Sequence, residues 1–261
     1  ENVRRFHKMK AWANRILRID LSTGAVRAQE ASPYVPDYLG ARGIAAKIAW
    51  DEYPEPVEPF APPNPLMIFP GALTGSRSPY SGRTNVCAFS PQGYPYPWFT
   101  RSSIGGHFGG ELKRAGYDGI VITGAAEVPV RIRIRDDEVS LLSADDLWGL
   151  DTLDTLSALE SIEGKGTYAL VIGPAGERLS RIATIQTGSS SACGQGGFGA
   201  VMGSKNLKAI SVAGTGHVSI AAPETIRAIA RALAKQARPP SWFGEMKTFN
   251  QRLAAEGSGS A

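Results

Sequence analysis

Glycine, serine and arginine are the residues whose types and spacing point to chemistry in this chain. Three segments are dense in glycine and hydroxyl residues: Gly71 to Arg83, Ser102 to Gly110, and Gly188 to Gly203. Glycine lets a backbone approach a ligand closely and turn its N–H groups toward an anion. Three such segments in one domain suit a large ligand with phosphates and ring edges, although glycine is also the ordinary turn residue of a strand-rich domain. Gly194-Gln195-Gly196-Gly197-Phe198-Gly199 satisfies G-x-G-x-x-G in form. A dinucleotide-binding fingerprint directly follows a strand, opens a long helix and meets an acidic residue about 20 positions later. This one follows a serine-rich loop and passes quickly into Lys205-Asn206-Leu207-Lys208 and a strand, so a nicotinamide-dependent dehydrogenase rests on the glycines alone. The run from Gly199 to Lys205 also misses the spacing of a phosphate-binding P-loop.

Metal chemistry carried by side chains has little to work with. The cysteines are Cys87 and Cys193, with no CxxC pair, so neither a zinc site nor a four-cysteine cluster can be assembled from this chain. Two buried, inert thiols are expected. The net charge of +4 comes from scattered Lys and Arg, which reads as a solvated surface and does not call for nucleic acid. No apolar run approaches the ~20 residues that span a bilayer. Glu1 to Lys10 is polar and basic with no apolar stretch behind it, which predicts no signal peptide and a cytoplasmic protein.

The elements that must position the glycine segments follow from periodicity. With 261 residues and 43% hydrophobic content, the chain suffices for one large domain, or one domain plus part of another. Arg15 to Leu21 alternates as a strand, Ser22-Thr23-Gly24 turns, and Val26 opens the return strand. Gly43 to Tyr53 has helical spacing and Pro54 ends it. Strands are predicted at Leu66 to Phe69, Thr84 to Phe89, Ile120 to Thr123, Val130 to Arg135, Val139 to Leu142, Tyr168 to Ile172, Ile182 to Gln186 and Leu207 to Ala213. Helices are predicted within Gly105 to Ala115 and over Thr152 to Ile162, and Ser143 is predicted as an N-cap with Asp146 three residues on. The class is α+β with much antiparallel pairing. Ala222 to Ala237 is a further helix, broken by Arg238-Pro239-Pro240, and reads as the start of a second domain over 215–261. Gly257 to Ser260 is a linker, a tag remnant or a cut end.

Taken in order, these residues resemble the amino-terminal domain of the tungsten-containing aldehyde ferredoxin oxidoreductase family. Arg15 to Gly24 looks like its opening hairpin, and Tyr38-Leu39-Gly40-Ala41-Arg42-Gly43 is similar to its first helix entry. Gly71-Ala72-Leu73-Thr74-Gly75, Ser81-Gly82-Arg83 and Ile172-Gly173-Pro174-Ala175-Gly176-Glu177 fit as well. The most specific matches are Gly105 to Lys113, Ala115-Gly116-Tyr117-Asp118-Gly119, and Gly196 to Ala209. Together they cover 12–214 collinearly.

The resemblance implies two β-sheets related by a pseudo-two-fold, forming a platform for a tungsten bis-pterin cofactor whose metal is held by pterin sulfurs rather than by side chains. It assigns cofactor contacts to Arg83, Ser103, Ile104, Gly105, Gly106, Ser191, Ala192, Cys193 and Gly194, and no catalytic residue. Arg83 matches the arginine between the pterin and an iron–sulfur cluster, a place suited to a guanidinium fork. The backbone carbonyls of Ser103 and Ala192 match those that hold a magnesium bridging the pterin phosphates. Lys205 and Lys208 read equally as phosphate-neutralising or solvated, and His107 as packing beside Phe108. This sequence departs from the family at Ser103, where asparagine is usual, and at Ser191 and Gln195, where arginines are common. The segment Gly93 to Phe99 is unusually aromatic and proline-rich.

The family's cluster cysteines and acid–base groups lie in helical domains beyond this chain. The resemblance therefore implies the cofactor-binding portion of an aldehyde oxidoreductase, inactive without those domains or a partner chain that carries them. Its expected company is a 4Fe–4S cluster, ferredoxin or an iron–sulfur electron-transfer subunit, and an oligomeric assembly. The alternatives are a portion of the catalytic subunit of a tungsten benzoyl-CoA reductase, and a non-catalytic scaffold subunit.

Overall fold

A computed structural model describes residues 10–188 and 191–236. They fall into two compact units, Glu1–Ala221 and Ala222–Ala261.

In the first unit one order of strands occurs twice, with a helix before the third and before the last strand of each half. The first half opens with the hairpin β1 (Ile16–Asp20) and β2 (Ala25–Gln29), followed by α1 (Val35–Tyr38) and α2 (Arg42–Glu52). A meander of β3 (Leu66–Pro70), β4 (Thr84–Phe89) and β5 (Phe99–Ile104) comes next, and α3 (Phe108–Arg114) leads into β6 (Gly119–Thr123). The second half has the hairpin β7 (Val130–Arg135) and β8 (Glu138–Ser143), then α4 (Thr152–Glu163), β9 (Tyr168–Val171) and α5 (Pro174–Glu177). It ends with β10 (Ile185–Gln186), β11 (Ala192–Cys193), α6 (Phe198–Gly203) and β12 (Leu207–Ala213).

Each half makes a mixed six-stranded sheet, ordered β2-β1-β6-β3-β4-β5 and β11-β10-β9-β12-β7-β8. Read from the hairpin edge, the two orders are the same, with β7 in the place of β1 and β12 in the place of β6. The parallel pair is matched too: β1 runs alongside β6, and β7 alongside β12, while the other pairings are antiparallel. This is the α+β class that the sequence predicts, in the pair of related sheets that the family resemblance implies.

Alternation along the strands divides the core into layers. On the inner faces Leu17, Ile19, Ile68, Val86 and Ile120 meet Ile132, Ile134, Leu170 and Ile210, with Phe108 and Phe198 of α3 and α6 packed among them. On the outer face of the first sheet Ile16, Met67, Phe69 and Val121 receive Ile44 and Ile48 of α2. On the outer face of the second, Ala169, Val171 and Ala209 receive Leu159 of α4. Each fully buried Ile, Leu or Phe contributes about 1.5–3 kcal/mol relative to exposure, so the doubled core holds the platform rigid.

An ion pair recurs with the repeat. Arg18 of β1 lies opposite Val121 of β6, as Arg131 of β7 lies opposite Ala209 of β12. Arg18 grips Glu52, the last residue of α2, through a two-pronged contact of 2.7 and 2.5 Å. Arg131 pairs with Glu163, the last residue of α4, which also accepts the Ser211 hydroxyl at 3.0 Å. Both arginines are buried, and each fixes a helix end to the parallel core of its sheet.

Several local expectations change. Ser143 is not a helix N-cap: it ends β8, and its hydroxyl accepts the Asp145 N–H at 3.1 Å in a turn. The cap of α4 is Asp151, whose carboxylate accepts from Leu153 and Asp154 at 2.8 and 2.9 Å. The segment from Ser102 is not all loop, because Phe99–Ile104 is an edge strand, and α3 begins only at Phe108. The strand expected over Ile182 to Gln186 shrinks to Ile185–Gln186. Gly188 to Gly203 contains both β11 and α6.

In the second unit the described residues form one helix, α7 (Pro223–Gln236). Ile226, Ile229, Ala230 and Leu233 recur at helical spacing. Ala237, the break at Arg238-Pro239-Pro240 and the segment Gly257 to Ser260 lie outside the described residues, as does most of the amino-terminal stretch Glu1 to Lys10.

Candidate functional site

The two glycine loops that follow β5 and β11 occupy equivalent places in the two halves. Each leaves an edge strand, runs through glycines and enters a short helix at a Phe-Gly step: Phe108-Gly109 in α3, Phe198-Gly199 in α6. The glycine after each phenylalanine is sterically required. A Cβ on Gly109 would collide with the Thr84 hydroxyl at the start of β4, and one on Gly199 would stand 2.8 Å from the Ala183 and Thr184 carbonyl carbons just before β10. Close packing of helix on strand thus fixes where both loops end.

The loops meet along a seam formed by β5 and β11. The Gly105 N–H donates to the Ser191 hydroxyl at 2.7 Å, and the Gln195 N–H donates to the Ser102 hydroxyl at 3.3 Å. Thr187, beside β10, packs within 3.2 Å of where a Cβ on Gly106 would stand. In the opposite direction the β4–β5 loop clasps the second glycine loop: Gln92 accepts the Gly196 N–H at 2.9 Å, and the Ser90 hydroxyl donates to the Gly196 carbonyl at 2.9 Å. That loop is the aromatic segment singled out by the sequence. Its backbone is tied by the Ser90 N–H to the Trp98 carbonyl at 3.0 Å, while Tyr94 and Tyr96 are exposed.

The structure brings most of the expected site residues together here. Arg83, Gly105 and Ser191 adjoin, with the Arg83 guanidinium 3.8 Å and the Ser191 hydroxyl 3.1 Å from a Cβ position on Gly105. Arg83 is exposed and has no carboxylate within ion-pair reach among the described residues. Ser103 and Ala192 stand one residue before the ends of β5 and β11, at matching positions on the two edge strands. The Ser103 hydroxyl turns to Asn85 Oδ1 at 3.1 Å. Ile104 and Cys193, next along, point into the inter-sheet core, so their side chains are structural and only their backbones face the seam. Burial pushes the Cys193 and Cys87 thiols up to about 12, and both are free and buried. They are inert at neutral pH.

Two glycines in the site have no internal reason to be glycine. Among the described glycines, Gly82 and Gly194 are those with neither a positive φ nor any atom within 4 Å of an added Cβ. Gly82 adjoins Arg83, and Gly194 follows Cys193 at the mouth of the second loop. Bare backbone that the chain itself does not need suits a large ligand lying against it. This, with a free guanidinium and two sets of loop N–H groups, fits a phosphate-bearing organic cofactor.

Other expectations do not survive. Lys205 and Lys208 neither neutralise phosphates nor sit in solvent: both are fully buried. Lys205 donates to the Pro62 and Gly124 carbonyls at 2.9 and 3.0 Å, and burial lowers it to about 8. Lys208 donates to the Leu150 carbonyl at 2.8 Å and pairs with Glu177. His107 also meets Tyr168, with ring centroids 4.9 Å apart and ring planes tilted by 42°. The G-x-G-x-x-G stretch opens a six-residue helix buried throughout, too short and too enclosed to be a dinucleotide-binding helix. Among the described residues no three of His, Cys, Asp and Glu come together as metal ligands.

A cavity of about 510 Å³ lies elsewhere, at the far end of α3, lined by Trp12, Arg15, Lys113, Arg114 and His217. Its cations are largely committed, Arg15 to Asp137, Lys113 to Asp118 and Arg114 to Glu111, so we place the candidate site at the seam.

Residues 16–214 match the family described as aldehyde ferredoxin oxidoreductase, N-terminal domain. The chain belongs to this family. It is 42% identical over 219 residues to a tungsten-containing aldehyde ferredoxin oxidoreductase of Thermococcus kodakarensis, covering 83% of this chain and 36% of that protein. It is 36% identical over 226 residues to the WOR-like subunit of an aliphatic sulfonate oxidoreductase of Pyrococcus furiosus, covering 80% of this chain and 35% of that one. Among solved structures it resembles the active-site complex BamBC of benzoyl coenzyme A reductase in complex with 1,5-dienoyl-CoA, with a TM-score of 0.78 and 36% identity, over 82% of this chain and 33% of that chain. The chain thus spans about a third of the length of the relatives it matches. No helix among the described residues is long and apolar enough to cross a membrane.

Proposed function

We propose that this chain is the cofactor-cradling portion of a tungsten bis-pterin oxidoreductase that oxidises an aldehyde to a carboxylic acid and passes the electrons to ferredoxin. The observation that carries this reading is the seam. Two equivalent glycine loops, from two equivalent half-domains, converge beside a free arginine and leave Gly82 and Gly194 as bare backbone. A ligand built of two similar halves is what such a paired cradle accommodates.

When bound, the tungsten–pterin group supplies the two-electron redox chemistry. The residues of this chain bind and orient it. The backbones of Gly105, Gly106 and Gly194 would lie against the group, with the Gly105 N–H already taken by Ser191, and the carbonyls of Ser103 and Ala192 would hold a magnesium. Arg83 places a fixed positive charge at the edge, with fork geometry suited to phosphate or cluster sulfide. The 4Fe–4S cluster, the acid–base groups and the substrate pocket belong to the two-thirds of the relatives' length that lies outside this chain or to a partner, and 215–261 begins that helical part. On this reading the chain alone is inactive.

A second reading, a portion of the catalytic subunit of a tungsten benzoyl-CoA reductase, draws support from the likeness to the BamBC complex. Assay of the full-length enzyme, purified from its source with its partners, separates the two. Reduction of ferredoxin that depends on an aldehyde is expected. Activity confined to an aromatic coenzyme A thioester favours the second reading, and activity with neither sinks both.

A further inference from the structure

We propose that Ser102 and Ser191 form a reciprocal latch that sets the spacing of the two glycine loops. The proposal rests on the cofactor reading of the seam and goes beyond it in assigning a positioning role to two hydroxyls. The two serines hold the same place in the repeat, each two residues before the end of its edge strand, β5 or β11. Each accepts an N–H from the other half's loop: Ser191 from Gly105 at 2.7 Å, and Ser102 from Gln195 at 3.3 Å. The donors are offset by one residue, so the symmetry is approximate in the loops and closer in the strands.

Both hydroxyls are placed to hold rather than to bind. Ser102 is buried, and Ser191 is half-buried under Arg83 and Gly105. The Gly105 N–H is consumed by Ser191 and is not offered to an anion, so the amides left for phosphate lie beyond it. Because β5 and β11 are edge strands of separate sheets, no ladder hydrogen bonds fix one against the other. The serine bonds supply that registry at the strand ends, while Gln92 and Ser90 hold the second loop further out, at Gly196. They stand immediately before Ser103 and Ala192, so a shift of either strand would move the paired carbonyls apart.

The test uses the full-length enzyme with Ser191→Ala, Ser102→Ala and Ser191→Thr, read first by hydrogen–deuterium exchange of the peptides covering 102–107 and 193–197. Loss of one such bond speeds exchange by up to about tenfold. A latch requires that each alanine variant loosen both peptides, while Ser191→Thr, which keeps the hydroxyl, stays at the wild-type rate. Melting temperature should stay within about 2 °C of wild type, while tungsten and pterin content fall and the tungsten EPR signal of the remaining loaded enzyme shifts. Unchanged exchange in both peptides overturns the latch, as does loosening confined to the variant's own hydrogen-bond partner. Faster exchange with cofactor content and EPR unchanged overturns the positioning role. A wild-type enzyme free of tungsten and pterin counts against the proposed function instead, and exchange alone then decides whether the latch exists.

Discussion

Glycine demands at this seam come from two sources, and substitution separates them. Gly197 has φ +64°, and a Cβ there would lie 2.9 Å from Pro91 and collide with the Arg181 carbonyl. Gly197→Ala should therefore destabilise the fold by more than 2 kcal/mol, a large effect by the measure of single substitutions, visible as a lower melting temperature. Gly194 has no internal constraint, so Gly194→Ala should leave stability within about 0.5 kcal/mol yet lower pterin content. Arg83→Gln should likewise spare the fold and reduce cofactor retention, measured as pterin per chain. The buried Lys205 gives a pH signature. Its folded value, about 8, lies below its ordinary 10.5, so between those values the unfolded chain binds more protons than the folded one. Stability contributed by this site then rises with pH through that window, because the cost of burying the charge disappears. Lys205→Met should flatten the rise in denaturant midpoint between pH 8 and 10.5.

At the scale of elements, the arginine–glutamate pairs at the ends of α2 and α4 differ in depth, and their energetics should differ with them. The Glu163 side chain is 2% exposed and serves Arg131, Arg135 and Ser211, whereas that of Glu52 is 36% exposed. Glu163→Ala should cost about 3–5 kcal/mol by leaving buried guanidinium charge uncompensated, and Glu52→Ala about 1 kcal/mol, measured by urea denaturation. Elements written in apolar alternation, such as β1 and β7, or as a continuous apolar run, such as β3, are legible in the sequence because one or both faces are buried. β5 is not, since Phe-Thr-Arg-Ser-Ser-Ile is hydroxylic and lies on an edge, where polar residues are tolerated. α6 escaped because Phe-Gly-Ala-Val-Met-Gly is buried on every side and shows neither a polar face nor helical periodicity. The burial of Lys205 and Lys208 is hidden from the sequence for a related reason: residue type does not reveal depth, and a lysine bound to loop carbonyls looks like a solvated one.

For the whole molecule, the doubled architecture accounts for why the functional signals lie where they do. Each half contributes an edge strand, a serine, a glycine loop and a Phe-Gly helix entry, and the candidate site lies where the halves meet. In the sequence these segments share a Gly-Gly step and a Phe-Gly step, so the correspondence of Ser102 with Ser191, and of Arg18 with Arg131, is visible only in strand order and register. The most direct test of the paired cradle is tungsten and pterin analysis of the full-length enzyme isolated from its source with whatever co-purifies. About one tungsten and two pterins per chain is the predicted result, one pterin for each half. A purified, folded enzyme with neither would contradict the account and leave the seam as a structural junction alone.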